Sequence, residues 1–403
     1  MMPEKRPLPL PDAQQVLIDA VIPVGTEMIN SVAALGRVLA EDIFTPHPFP
    51  DTRRSAVDGF AVNQPGLSHY QIVETLGAGE LPQLDLTAGQ AAAVMTGATV
   101  PEGGVAVIRV EDTGVTDNLL ELKADVAVGE NINRIGEEMA AETRILSAGT
   151  RLTPVQHSVL CCSGIAQVKV YRLPVVGILI TGDEVLQVGQ PHRVGSVYDS
   201  NRHFLSGCLA QLGVPYKVLG PVNDDADTIR QSLEQLAKEC DLVISSGGVS
   251  MGKYDFIRPL LHSNGFEVLV NRTGIKPGRP LIVAQRDATL FFGMPGYPAA
   301  FLVNFFYYLL PTVKRLMGVD DVMPKVRPAV LATPLKGRKG RWDVIRVQLD
   351  NYSGPETVHK LASQMTSHYL NFGSCDGLVL LGDEIDQRQA GESVELLEFS
   401  AQF

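Results

Sequence analysis

Continuous apolar runs alternating with amphipathic stretches organise the middle of the chain. Val175-Val176-Gly177-Ile178-Leu179-Ile180 has no polar position, as a strand buried on both faces requires. Leu205, Leu209 and Leu212 then recur at helical spacing, from an N-cap candidate in Asp199-Ser200-Asn201 to a stop at Gly213. Tyr216 to Leu219 reads as a second strand. Asp224-Asp225 opens a helix with Ile229, Leu233, Leu236 and Ala237 on one face. A third strand spans Asp241 to Ser245, and a helix ends near Gly265. Strands follow near Phe266 to Val270, Leu281 to Ala284 and Leu290 to Phe292, with a last helix from Pro298. Repeated strand–helix units predict a mostly parallel, doubly wound α/β sheet, whose ligands sit beyond the carboxyl ends of the strands.

The flanks are patterned differently. Before Leu173, the Pro-rich segment Thr45-Pro46-His47-Pro48-Phe49-Pro50 separates a helical N-terminus from short strands punctuated by Gly97, Pro101, Gly103, Gly104 and Gly129, which predicts a small β-domain. After Pro328, the runs Val344 to Leu349, Gly377 to Leu381 and Val394 to Leu397 occur without long helices, as in a compact β-barrel or sandwich.

Length and composition narrow the class. A chain of 403 residues with 45% hydrophobic and 20% charged content is globular and long enough for three or four units. The longest apolar segment, Ala299 to Val313, is shorter than a bilayer span and contains Asn304 and Pro311, so a buried helix and no membrane role are expected. The first ten residues show no apolar signal core, which points to the cytoplasm. Five cysteines without a Cys-x-x-Cys pair read as reduced core residues, and the scattered histidines lack zinc-ligand spacing. A net charge of −11 argues against nucleic acid as a partner.

That charge is locally reversed. Between Ser245 and Arg286 stand Lys253, Arg258, Arg272, Lys276, Arg279 and Arg286, against only Asp255 and Glu267. The plain alternative is an ordinary solvated face. In the same stretch, Ser245-Ser246-Gly247-Gly248-Val249-Ser250 follows a buried strand and precedes a helix, an arrangement that turns backbone N–H groups and a helix dipole toward an anion. Lys276-Pro277-Gly278-Arg279 and Met294-Pro295-Gly296 add two more turns at strand ends, so several loops are expected to converge on one anionic ligand.

Taken in order, Ser55-Ala56-Val57-Asp58-Gly59-Phe60-Ala61, Met95-Thr96-Gly97-Ala98, Thr181-Gly182-Asp183-Glu184, Tyr198-Asp199-Ser200-Asn201, the Gly247 segment, Lys276-Pro277-Gly278 and Met294-Pro295-Gly296 resemble the molybdopterin molybdenumtransferase (MoeA) family, shared with the gephyrin E domain, over nearly the whole chain. The resemblance implies an elongated helical N-terminal domain (1–44 and 139–173), an inserted β-domain (45–138), a molybdopterin-binding α/β domain (174–320) and a C-terminal β-barrel (325–403). It also implies a cytoplasmic homodimer that inserts molybdenum from molybdate into adenylylated molybdopterin with loss of AMP, using Mg²⁺. A molybdopterin adenylyltransferase and the cofactor-receiving enzymes are the further partners it suggests.

Under that resemblance Gly247, Gly248, Ser250, Pro295 and Gly296 would cradle phosphates. Lys276, Pro277, Gly278, Arg279, Arg272, Arg346 and the weaker candidate Ser363 would serve the substrates and the oxyanion. Asp58, Thr96, Glu138, Glu184, Asp224 and Asp255 would be catalytic, with Asp183, Glu184 and Asp255 on the metal. Each has a plainer reading. Asp58 suits an Asx-turn, Thr96 the end of a strand, and Glu184 and Asp224 the N-termini of helices. Asp255, inside an anion-binding segment, favours a metal or proton-transfer role. The chain departs from the family at Glu138 (usually Asp), Arg272 and Arg279 (usually Lys), Arg54 (often Asn), Tyr297 (usually Asn) and Ala300 (usually Ser). Those departures keep two alternatives open: a non-catalytic paralogue that binds molybdopterin as carrier or scaffold, and the ATP-consuming adenylyltransferase chemistry of related small domains.

Overall fold

The computed structural model describes residues 7–249, 256–350 and 356–403. Contacts divide the chain into two compact units. The first holds the segment up to Ala40, Gly149–Pro154 and Val168–Phe403; the second holds Glu41–Ala148 and Val155–Gln167. Helix α1 (Leu10–Ala20) starts after Pro9 and buries Leu10, Ala13 and Leu17 in the main core of the first unit. The buried Gln14 amide there donates to the Tyr307 carbonyl at 2.9 Å. Among the described residues before Thr45, this is the one α-helix, and it packs on the α/β core.

The second unit is built around a β-sheet. Strands β1 (Gly59–Val62), β2 (His69–Leu76), β3 (Gln90–Val94), β4 (Ala106–Arg109), β5 (Thr113–Thr116) and β6 (Leu119–Leu122) form one sheet in the order β4-β1-β3-β2-β6-β5. Alternation distributes its core to two faces: Phe60, Val62 and Ile108 on one, Ala61, Ala92 and Val107 on the other. Gly59 is obligatory there, since a Cβ would run into the Ile108 carbonyl of the neighbouring strand. Helix α2 (Pro154–Cys162) carries Cys161 and Cys162, which are exposed and free rather than core residues; Cys208, Cys240 and Cys375 are buried as expected.

In the first unit, β7 (Val176–Thr181), α3 (Asn201–Leu212), β8 (Tyr216–Val222), α4 (Ala226–Glu239), β9 (Leu242–Ser246), α5 (Ile257–Ser263), β10 (Glu267–Asn271), β11 (Ile275–Lys276), β12 (Ile282–Arg286) and β13 (Thr289–Met294) succeed one another. Helix α6 (Pro298–Asn304) then runs through one π-helical turn (Phe305–Leu309) into α7 (Leu310–Leu316). The sheet order is β8-β7-β9-β13-β12-β10. Its first four strands are parallel; β12 alone is reversed, pairing antiparallel with β13 on one side and with β10 on the other. The alternation of strand and helix did not foretell that reversal. Only Asp287 and Ala288 separate β12 from β13, and Asp287 has φ +53°, so the connection is a hairpin too short for a crossover helix.

Helices cover both faces of this sheet. Val176, Ile178, Ile180, Ile244 and Phe292 meet α1, α3, α6 and α7, while Leu179, Val243 and Phe291 meet Ile229, Leu233 and Leu236 of α4 and Ile257 and Leu261 of α5. Burial on both faces is why these strands read as unbroken apolar runs. Among the described residues no helix is long and apolar enough to cross a membrane.

The last segment is a closed barrel of β14 (Arg327–Leu331), β15 (Trp342–Asp350), β16 (Thr357–Lys360), β17 (Gly377–Leu381) and β18 (Ser393–Glu398), ordered β15-β16-β14-β18-β17 with β17 returning to β15. Closure settles the barrel-or-sandwich alternative. Ala329, Leu331, Ile345, Val347, Val379 and Leu396 fill its interior. The two-residue strand β11, from the loop after β10, adds in parallel to the outside of β15, with Ile275 opposite Trp342 and Lys276 opposite Asp343.

Candidate active site

Three strand ends of the α/β sheet meet where the sequence placed its glycine turns. At the end of β9, Gly247 and Gly248 have φ of +98° and +71°, a conformation that disfavours any side chain. A Cβ on Gly247 would also lie 3.1 Å from the Thr181 hydroxyl at the end of β7. The Gly247 N–H donates to the Met294 carbonyl at 3.0 Å, which ties the turn to the end of β13. Asn201, buried at the start of α3, completes the tie. Its Nδ2 donates to Ser246 Oγ at 2.8 Å and to the Gly296 carbonyl at 2.9 Å. Ser250 and Asp255 lie outside the described residues.

Asn201 and Thr181 were not singled out from sequence as site residues. Asn201 looked like part of an N-cap, but the helix-starting bond comes from Asp199, whose Oδ1 accepts from the Arg202 N–H at 3.0 Å. That leaves the Asn201 amide free to cross to two other strand ends. Its two partners lie 45 and 95 residues away, so no local pattern marked it.

At the departures from the family pattern, Tyr297 is 64% exposed, and its carbonyl accepts from the N–H groups of Ala300 and Phe301 at 3.0 Å each. The start of α6 therefore stands without a side-chain cap. Ala300 is buried within α6.

Beside these turns stand three acids. Asp183 and Glu184 follow β7, and Asp224 follows β8, with its N–H 3.3 Å from Asp183 Oδ1. Burial, then the charges of Glu184 and Asp183, push the Asp224 carboxyl above its ordinary range, more than its hydrogen bond with Asp183 lowers it. The helix-capping reading of Asp224 gives way to Asp225, whose Oδ1 accepts from the N–H groups of Asp227 and Thr228 at 3.1 and 3.0 Å. A carboxyl raised by folding penalises the native state once pH rises past its unfolded value, and the penalty is absent in acid. Asp224→Asn is therefore expected to raise the unfolding midpoint at neutral pH and to change it little near pH 3, below the ordinary aspartate range. Equal shifts at both pH values in thermal denaturation would show that charge is not the cause.

The Lys276 turn is built by steric necessity. Gly278 has φ +122°, and a Cβ there would collide with Oδ1 of the buried Asn304. Asn304 Nδ2 in turn donates to the Pro280 carbonyl at 3.3 Å. Lys276 and Arg279 are exposed; Arg272 is half-buried with φ +68°. Not every cation of this stretch faces a ligand. Arg286 pairs with Glu234 at 2.8 Å and stacks over Phe266, and Arg258 bonds to Asn271.

Arg346 corrects the sequence reading most. Its side chain is 2% exposed and is spent on the protein: Nη1 donates to the carbonyl of His368 at 2.6 Å and to Asn371 Oδ1 at 3.0 Å, and Nη2 to the carbonyl of Met365 at 3.0 Å. It lies 5.1 Å from the centre of the Phe372 ring, and burial lowers its pKa. Instead of meeting an oxyanion directly, it shapes the loop that holds Ser363. That loop lines an open cavity of about 470 Å³ with Ser363, Ser367, His368, Asn371 and Ser374.

In the second unit, Asp58 and Thr96 are brought together. Thr96 gives both its N–H, at 2.6 Å, and its hydroxyl, at 2.8 Å, to Asp58 Oδ1. These bonds, the backbone one first, hold the carboxyl below its ordinary range. Asp58 thus reaches across 38 residues instead of closing a local Asx-turn. Glu138 is exposed, its N–H donated to the Phe49 carbonyl at 3.1 Å.

Comparison with known proteins agrees with this geometry. Residues 8–164 match the MoeA N-terminal region (domains I and II), and residues 177–315 match a probable molybdopterin binding domain. A molybdopterin molybdenumtransferase of Haemophilus influenzae is 32% identical over 400 residues, covering 98% of this chain and 99% of the relative. One from Nostoc sp. is 34% identical over 317 residues, 75% of this chain and 73% of the relative. The solved molybdopterin biosynthesis MoeA protein of Pyrococcus horikoshii superposes with a TM-score of 0.84 at 27% identity, over 98% of this chain and 99% of that one.

Proposed function

The chain belongs to the molybdopterin molybdenumtransferase family, and on that premise we propose that it inserts molybdenum from molybdate into adenylylated molybdopterin, with release of AMP. The observation that carries this is the Asn201 tie, which fixes the Gly247 and Gly296 turns at the mouth of the α/β sheet, where backbone N–H groups suit a phosphorylated ligand. The enzyme reading is favoured over the non-catalytic carrier, since full-length relatives are named as transferases.

In this reading Gly247, Gly248, Ser250, Pro295 and Gly296 hold the molybdopterin phosphates, and Lys276, Arg279 and Arg272 supply positive charge. Pro277 and Gly278 set the course of the Lys276 loop, and Ser363 meets the oxyanion. Asp58, Thr96 and Glu138 are the catalytic groups of the second unit, and Glu184, Asp224 and Asp255 those of the first. Among the described residues no three acids, histidines or cysteines are grouped tightly enough to hold an ion alone. Magnesium usually takes one or two carboxylates and completes its shell with substrate phosphate and water, so Asp183 and Glu184 are a fitting donor set, with Asp255 joining them. When bound, Mg²⁺ supplies charge neutralisation at the phosphates. The proposal extends to a homodimer in the cytoplasm, to the four-domain division of the chain, and to exchange with a molybdopterin adenylyltransferase and cofactor-receiving enzymes.

The test is molybdate-dependent release of AMP from adenylylated molybdopterin by the purified chain. Consumption of ATP instead would favour adenylyltransferase chemistry. Lys276→Ala is expected to raise the molybdate needed for half-maximal AMP release about tenfold, the scale of one lost charge-assisted hydrogen bond, with molybdopterin binding little changed. Wild-type behaviour at limiting molybdate would remove Lys276 from the oxyanion site.

A further inference from the structure

The Ser363 hydroxyl is already engaged before any ligand arrives. Its oxygen accepts from the Met365 N–H at 3.3 Å and lies 2.7 Å from His368 Nδ1. A hydroxyl has one proton and two lone pairs. With Met365 on one lone pair, the bond to His368 decides where the proton goes. If Nδ1 carries hydrogen, it fills the second lone pair, and the serine proton is left for a group in the cavity. If Nδ1 is bare, the serine gives its proton to the ring and presents only oxygen to the cavity. A tetrahedral oxyanion accepts hydrogen bonds and donates none, so only the first arrangement serves it.

The pair is rigidly placed. Arg346 grips the His368 and Met365 carbonyls, and Asn371 Nδ2 donates to the Ser363 carbonyl at 2.8 Å. The buried guanidinium puts a positive charge beneath a cavity lined by hydroxyls, and its own bonds run to carbonyls and amides. We infer that His368 is a positioning residue, which donates from Nδ1 to Ser363 and thereby aims the serine proton at the oxyanion. The inference rests on the proposed meeting of Ser363 with molybdate.

Because Asn places an N–H close to where Nδ1 stands and Ala places nothing, the two variants separate a hydrogen-bond donor from a space-filling ring. His368 is exposed, so both are expected to fold, checked by thermal denaturation. In AMP release at varied molybdate, and in equilibrium dialysis with molybdate alone, His368→Ala should raise the molybdate requirement about tenfold, with turnover at saturation within about twofold. His368→Asn should return the requirement to within about threefold of wild type, and His368→Asp, which only accepts, should exceed Ala. In a Ser363→Ala background, His368→Ala should add nothing further. Equal behaviour of Ala and Asn, or an unaffected His368→Ala beside an impaired Ser363→Ala, would overturn the inference and leave the reading of Ser363 standing. An unaffected Ser363→Ala would overturn that reading, and the inference with it.

Discussion

Arg346→Ala is expected to lower stability by about 2–4 kcal/mol, because several hydrogen bonds from one buried charged group are lost together and such losses are less than additive. For a chain of this size that is roughly 2–5 °C in the unfolding midpoint. The carbonyls of His368 and Met365 and the Asn371 amide would lose their donor, and the 361–374 loop its anchor. Lysine should rescue little, since a single ammonium cannot reproduce two planar forks aimed at separate acceptors. Thermal denaturation of the two variants gives the answer. If Arg346→Ala melts within about a degree of wild type, the guanidinium is not what holds the loop.

Asp255→Asn carries the largest expected effect on activity: turnover should fall about 10²- to 10⁴-fold while molybdopterin binding persists. The swap keeps size and shape but removes a metal-binding charge and a proton acceptor. In the chain, Asp255 falls between the Gly247-Gly248 turn and α5, amid Lys253 and Arg258. A carboxylate in a segment otherwise suited to anions is electrostatically costly unless it has chemistry to do. Single-turnover AMP release, paired with a molybdopterin binding measurement, separates the outcomes. Normal turnover would reduce Asp255 to a helix-capping residue, and loss of binding would make it structural.

Much of the frame was legible in the sequence for a physical reason. Strands buried on both faces must be apolar throughout, so β7, β9 and β13 announced themselves, and positive φ at Gly247 and Gly248 is met most readily by the residue type that advertises it. What was not legible depends on distant partners. The antiparallel turn of β12 hinged on a two-residue connection, although Asp287-Ala288 carries no strong hairpin signature. Arg346 was assigned to a ligand through the family resemblance, and period two does place it on the outer face of a barrel strand. Nothing in that period says a loop some twenty residues on will cover it. Asp58 with Thr96, and Asn201 with Ser246 and Gly296, are likewise pairs whose local spacing is silent.

Strand β11 binds Lys276 to a different structural neighbourhood from the one its sequence position suggests. Its backbone leaves the α/β sheet and pairs with β15, so the proposed oxyanion lysine is registered against the barrel. Opening of a folded protein proceeds in cooperative blocks, and a segment opens with the block that holds its hydrogen bonds. Were the barrel to open ahead of the α/β sheet, Lys276 would lose its backbone partner while the glycine turns at β9 and β13 stayed formed. Under the proposed roles, a partly unfolded molecule of this kind would keep its phosphate cradle and lose its grip on the oxyanion, so the two substrates would be released at different thresholds of denaturation.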